Sequence, residues 1–189
     1  MLRNLPIGSQ KTWIEDGSLQ GAKLARANLR RANLSRANLQ NASLAGATLH
    51  SAILASANLT NAELGQAALQ NSQLMLAVLQ NAVLIGTNLQ KANLYRANLQ
   101  GADLTNADLS EAKLEYADLR GAKLHGAILT NAELHGAQFD DIASIQVNED
   151  TILPNGLRAT KKNMKYLTAF TGYSPEVLAD FSSDEEHEI

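Results

Sequence analysis

Residues 27–40 read ANLRRANLSRANLQ. Ala-Asn-Leu occurs three times, at 27–29, 32–34 and 37–39, each five residues after the last. The period continues far outside this stretch. Leu occupies every fifth position from Leu19 to Leu134, and Phe139 takes the next. Two residues before each, from Ala22 to Ala137, the residue is Ala except at Ser72 and Thr87. The other three positions of each five are variable and mostly polar.

A helix cannot use this period. Five residues at about 100° each leave a rotation of roughly 140° per repeat, so the leucines would spiral around every side. A long strand fails too, because alternation would send successive leucines to opposite faces. The pattern works if each repeat is a short extended piece followed by a bend. Ala and Leu, two apart, then point inward together, and the two residues after Leu turn the corner. The second of these is the third residue of a four-residue turn, where a type II turn needs positive φ and favours Gly, then Asn. Gly fills that slot at 21, 46, 86, 101, 121, 126 and 136, and Asn at 41, 61, 71, 81, 106 and 131. Arg26, Arg31, Arg36, Leu76, Arg96 and Tyr116 at the same slot lead us to expect that some corners use a turn with negative φ.

The stretches ANLSRANLQN, ADLTNADLSE and ADLRG resemble the A(D/N)LXX motif of the pentapeptide-repeat family. The Ala/Leu-rich form resembles the many cyanobacterial members. The resemblance implies an all-β solenoid: a right-handed quadrilateral β-helix with four repeats, twenty residues, per coil. About six coils would then make a rod roughly 30 Å long at about 4.8 Å per coil. On that register, Asn38, Asn58, Asn98 and Asp118 form one column, interrupted by Val78, and are expected to hydrogen-bond from coil to coil.

Four segments are expected: an N-terminal cap at 1–17, the β-helix at 18–140, a C-terminal cap with one or two short α-helices at 141–182, and an acidic disordered tail at 183–189. The first helix would space Met164, Leu167 and Phe170 on one face; the second would carry Val177, Leu178 and Phe181. Some family members dimerise through such a segment, so a homodimer is the alternative to simple capping. Cysteine is absent, which removes disulfides and thiolate chemistry. The first residues lack the basic-then-apolar order of a signal peptide, and no apolar run reaches 18 residues. A cytoplasmic location is the expectation.

Catalytic, cofactor-binding and metal sites are all expected to be none. His50, His125, His135 and His187 are the only histidines, and the twenty-residue register stacks none above another. Motifs for zinc, nucleophilic or nucleotide chemistry do not occur. The expected role is non-catalytic: a scaffold or regulatory rod for an unidentified protein partner, with no small-molecule substrate and no membrane. The alternative, taken from the resemblance, is a DNA-mimicking binder of a type II topoisomerase such as gyrase. Charge speaks against it. Residues 18–139 hold ten Lys or Arg and seven Asp or Glu, a net of +3, and the acid lies in 140–189.

Two surface features are candidate sites. Lys23, Arg26, Arg30, Arg31 and Arg36 form a basic collar around the first coil; a duplex would touch only part of it, so nucleic acid is disfavoured. Met75, Leu76, Val78, Val83 and Ile85, with Tyr95 one coil beyond Met75 and Tyr116 two beyond Leu76, form a candidate interaction patch of apolar residues at outward slots.

Overall fold

The computed structural model describes residues 18–139. The two caps and the acidic tail expected from the sequence lie outside the described residues.

The middle residue of each Ala-X-Leu pairs in parallel with the residue twenty positions on, from Ser18↔Asn38 to Asp118↔Gln138. The chain is therefore a solenoid with a twenty-residue turn. Its pairs fall into four columns, and each column is a face. The first face carries Asn38, Asn58, Val78, Asn98 and Asp118; the second Lys23, Ser43, Glu63, Val83 and Asp103. The third carries Asn28, Thr48, Ala68, Asn88 and Asp108; the fourth Asn33, Ile53, Gln73, Asn93, Lys113 and Glu133.

Hydrogen bonds run along the rod axis. Asn98 N donates to Ala77 O of the preceding coil at 2.9 Å, and Leu79 N donates to Asn98 O of the following one at 2.7 Å. No coil completes its own backbone bonding, so each needs its neighbours.

Each corner closes with a bond from the next Ala to the Leu before the bend, as from Ala77 N to Leu74 O at 3.0 Å. At the second position of each corner, all seven glycines and all seventeen non-glycines have positive φ, between 54° and 69°. This corrects the expectation of negative φ at some corners. Arg26, Arg31, Arg36, Leu76, Arg96 and Tyr116 have φ of 57°, 55°, 60°, 58°, 54° and 59°. Left-handed backbone costs a non-glycine roughly 1–2 kcal/mol. The stack imposes it regardless. Positive φ aims the corner N–H along the axis, as in Leu76 N→Tyr95 O at 3.0 Å and Arg96 N→Glu115 O at 3.0 Å. It also turns the next Ala and Leu inward, where each buried Leu contributes about 1.5–3 kcal/mol.

The interior is Leu and Ala. Leu29 through Leu119 are nearly all below 2% exposed, and the space between Leu54 and Leu99 has no room for a water molecule. The two exceptions in the Ala slot behave differently. Thr87 Oγ1 donates to Leu64 O at 2.9 Å. Ser72 is fully buried and its Oγ has no partner. A buried hydroxyl without a partner costs about 1–3 kcal/mol. Ser72→Ala should therefore raise Tm, by roughly 2–4 °C for each kcal/mol recovered; a lower Tm by calorimetry would mean that the hydroxyl is satisfied.

The Asn and Asp side chains on the faces do not form the coil-to-coil column expected for them. Each accepts the N–H two residues ahead in its own coil. Gln40 N donates to Asn38 Oδ1 at 3.2 Å, Thr60 N to Asn58 at 3.0 Å, Gln100 N to Asn98 at 3.1 Å and Arg120 N to Asp118 at 3.2 Å. The reason is competition: the first corner N–H has no backbone partner here, and a short side chain reaches it at once. Side-chain bonds between coils come from corner residues, as in Gln80 Nε2→Gln100 Oε1 at 3.1 Å, Gln100 Nε2→Asp118 Oδ2 at 2.6 Å and Thr130 Oγ1→Ser110 Oγ at 3.0 Å, and on the second face from Lys123 Nζ→Asp103 Oδ2 at 3.3 Å.

Candidate functional site

The closed interior leaves chemistry to faces and corners. Among the described residues no group of His, Asp and Glu is arranged to hold a metal ion, and no helix is long and apolar enough to cross a membrane.

The candidate basic collar lies on the first coil. Lys23 sits on the second face, Arg26 on the corner after it, Arg30 and Arg31 on the corner between third and fourth faces, and Arg36 on the corner between fourth and first. All five are exposed and none forms an ion pair among the described residues. The collar points in three directions, so no single flat partner meets all of it.

The candidate apolar patch divides. Met75, Leu76, Tyr95 and Tyr116 share the corner between the fourth and first faces, on successive coils, and half-buried Val78 adjoins them on the first face. Val83 lies on the second face and Ile85 on the diagonally opposite corner, so the rod separates both from the rest. Leu76 and Tyr116 are the most exposed large apolar residues described, at 52% and 47%, with Met75 at 36%.

The shared corner holds more than the sequence reading found. Tyr95 and Tyr116 meet edge-to-face with ring centroids 5.8 Å apart, and Tyr116 meets His135 likewise at 5.4 Å. The Arg96 guanidinium carbon lies 5.2 Å from the Tyr95 ring centre and 5.6 Å from that of Tyr116. Exposed contacts of this kind contribute about 0.5–1 kcal/mol each. Gly136 admits the ring: a Cβ there would stand 2.6 Å from Tyr116 Cδ1. Ile53, exposed on the adjoining fourth face, was also missed. Arg96 shares its corner slot with Leu76 and Tyr116, so twenty-residue arithmetic could have found it. The packing of rings around it has no sequence signal.

An acidic pair borders the corner. Burial first, then the Glu115 carboxylate and the hydrogen bond shared with it, push Glu133 above its ordinary pKa of 4.5, while Lys113 pulls the other way. Glu115 Oε2 is buried without a partner. At the equivalent places elsewhere a glutamine donates to an aspartate: Gln90 Nε2→Asp108 Oδ2 and Gln100 Nε2→Asp118 Oδ2, both at 2.6 Å. Here two acids meet instead. With its pKa raised in the folded state, the contribution of Glu133 to stability is greatest below 4.5 and falls as pH rises through the folded value. Glu133→Gln replaces the acid pair with an amide–carboxylate pair, with the two places exchanged relative to Gln90–Asp108 and Gln100–Asp118. It should raise Tm by roughly 1–3 °C at pH 7 and by nothing near pH 4; an equal gain at both values would remove the acid pair as its cause.

The aspartates behave oppositely. The Thr105 hydroxyl lowers Asp103, helped by its N–H and by Lys123, against burial. For Asp108, burial pushes upward but the Ser110 hydroxyl and N–H and the Gln90 amide outweigh it; Arg120 lowers Asp118. Their contribution is present above the ordinary value of 3.8 and is lost as pH falls towards the folded values.

A family model described as pentapeptide repeats matches the chain over residues 18–50, 37–74, 72–110 and 107–142. Among solved structures, HetL from the cyanobacterium Nostoc sp. strain PCC 7120, a pentapeptide repeat protein involved in heterocyst differentiation regulation, is 29% identical. It aligns with a TM-score of 0.56 over 75% of this chain and 76% of its own. Rfr23 from the cyanobacterium Cyanothece 51142 is 30% identical over 70% of this chain and 88% of its own, with a TM-score of 0.41. QnrB1, a plasmid-mediated fluoroquinolone resistance protein, is 18% identical with a TM-score of 0.56 over 79% of this chain and 85% of its own, a likeness of fold alone. No curated protein matches the chain.

Proposed function

The chain belongs to the pentapeptide-repeat family, and on that premise we propose that it is a non-catalytic scaffold or regulatory protein whose rod binds another protein through one corner. In this reading the rod is a right-handed quadrilateral β-helix of about six coils. The observation that carries the proposal is the corner of exposed Met75, Leu76 and Tyr116 with half-buried Tyr95, on a rod whose Leu-lined core between Leu54 and Leu99 holds no water-sized space. Clustered exposed aromatic and aliphatic side chains with an arginine among them are what protein interfaces use as anchors. Residues 37–90 contain a single charged side chain, Glu63, so the first charge beside Met75 and Leu76 on their edge is Arg96, one coil on. HetL, similar over three quarters of the chain, is described as acting in regulation, and this supports a regulatory role.

The net charge of +3 on residues 18–139 favours this reading over a DNA-mimicking binder of a type II topoisomerase. Affinity capture with mass spectrometry tests it. The double substitution Met75→Glu with Tyr95→Ala should deplete specific captured proteins while the rod keeps a single thermal transition, with Tm lowered by no more than the few degrees that the lost Tyr95 contacts account for. An unchanged set of captured proteins would remove the corner from consideration, and stoichiometric inhibition of gyrase supercoiling would favour the topoisomerase.

A further inference from the structure

The corner slot that holds Leu76 holds Arg36 two coils earlier, Ser56 one coil earlier and Arg96 one coil later. At about 4.8 Å per coil the two arginine backbones stand roughly 14 Å apart on one straight edge. Between them lie the small Ala55 and Ser56, then Met75 and Leu76. The edge is therefore basic at both ends and apolar towards its centre.

Both guanidiniums are unspent. Neither makes an ion pair or a side-chain hydrogen bond among the described residues, and both residues are exposed. Arg96 is also held in place. Its guanidinium carbon lies 5.2 and 5.6 Å from the Tyr95 and Tyr116 ring centres, and the guanidinium N–H groups have no partner among the described residues. A planar fork held in this way loses less side-chain freedom on binding than a free one, and its geometry matches a carboxylate. The nearest acid on this corner does not compete, because Glu115 pairs with Glu133 and has its Oε2 buried.

Resting on the reading of this corner as the binding surface, we propose that it docks an acidic segment of a partner protein. Arg36 and Arg96 take two carboxylates, and Met75 and Leu76 take an apolar side chain between them. A nucleic-acid backbone fits less well, since phosphates would face Met75 and Leu76 and bury them against charge. Arg96 is then the residue that selects acidic partners, and Tyr95 and Tyr116 are its positioning residues.

The test uses the full chain and an array of synthetic peptides in which two glutamates flank a leucine at varied separations. Matched peptides carry glutamine for glutamate, and a duplex oligonucleotide serves as a polyanion. Glutamate peptides should bind best at one separation, at least about tenfold more tightly than their glutamine counterparts. Arg96→Gln should cost roughly tenfold, whereas Arg31→Gln, on another corner, should change nothing. A photo-crosslinker at Ser56 should attach to the peptide. The inference is overturned if no peptide binds, if glutamine peptides or the duplex bind equally well, or if Arg31→Gln costs as much as Arg96→Gln. Attachment from Ser56 to a second copy, or to residues 140–189 of its own chain, also overturns it. Loss of binding with Leu76→Glu but not with Arg96→Gln leaves the corner as the binding surface and rejects the acidic partner. If neither substitution matters, both readings fall.

Discussion

Leu79→Asp should abolish cooperative folding of the rod. Leu79 is 1% exposed, midway along the stack, with Leu59 and Leu99 one coil to either side. Deleting a buried leucine costs about 2–5 kcal/mol. The carboxylate adds a further cost, since the space from Leu54 to Leu99 is lined by leucines and no water fits there to solvate it. The sum is comparable to the whole stability of an ordinary domain, about 5–15 kcal/mol. Its position matters as much as its size. Coils bond only to their neighbours, so a mid-rod defect leaves two short stacks, each with a new open end. We expect loss of a single thermal transition by circular dichroism and calorimetry. Ser56→Asp, at an exposed corner, should keep it. A wild-type melting temperature for Leu79→Asp would contradict the buried-leucine architecture.

Ser51→Pro should be almost as damaging, although Ser51 has no part in the leucine core. Its φ is 57° and its N–H donates to Gln70 O at 2.9 Å. Proline holds φ near −65° and has no N–H, so it loses both the turn and the bond to the next coil. A loss of about 3 kcal/mol or more is expected from this one corner. Ser51→Gly should act in the opposite direction. Glycine adopts this φ without the roughly 1–2 kcal/mol that serine bears, partly offset by its greater freedom when unfolded. A net gain of about 0.5–1 kcal/mol is the expected result of urea denaturation. If Ser51→Gly destabilises while Ser51→Pro is tolerated, the corner does not need positive φ, and the account of the turns is wrong.

Those turns show where sequence reading stopped. Gly and Asn mark the corners at which positive φ is cheap, and they are legible as such. Arg26, Leu76 and Tyr116 pay for the same conformation from the stability of the stack, and no residue-type preference reveals that. The face asparagines stopped it in another way. Their twenty-residue column suggested bonds between coils, but the nearest unsatisfied donor is the corner N–H two residues on, as Gln40 N is for Asn38. A contact two residues away in sequence prevailed over one twenty away.

The candidate patch was legible in part. Counting in twenties placed Tyr95 beyond Met75 and Tyr116 beyond Leu76 on one edge. Apolar character grouped Val83 and Ile85 with them, yet the rod stands between. Arg96 was passed over because, read alone, a charged residue at a surface slot is ordinary. Its importance comes from two tyrosine rings that converge on it only when neighbouring coils stack.

The sequence by itself determined the five-residue turn, the inward Ala and Leu and the order of outward residues, because these follow from what each short segment must bury. The tertiary structure alone decided which outward residues share an edge, which backbone hydrogen bonds force left-handed corners on arginine and leucine, and which charges stay unpaired. Residues twenty apart become neighbours only when one coil lies on the next, so these are properties of the stack.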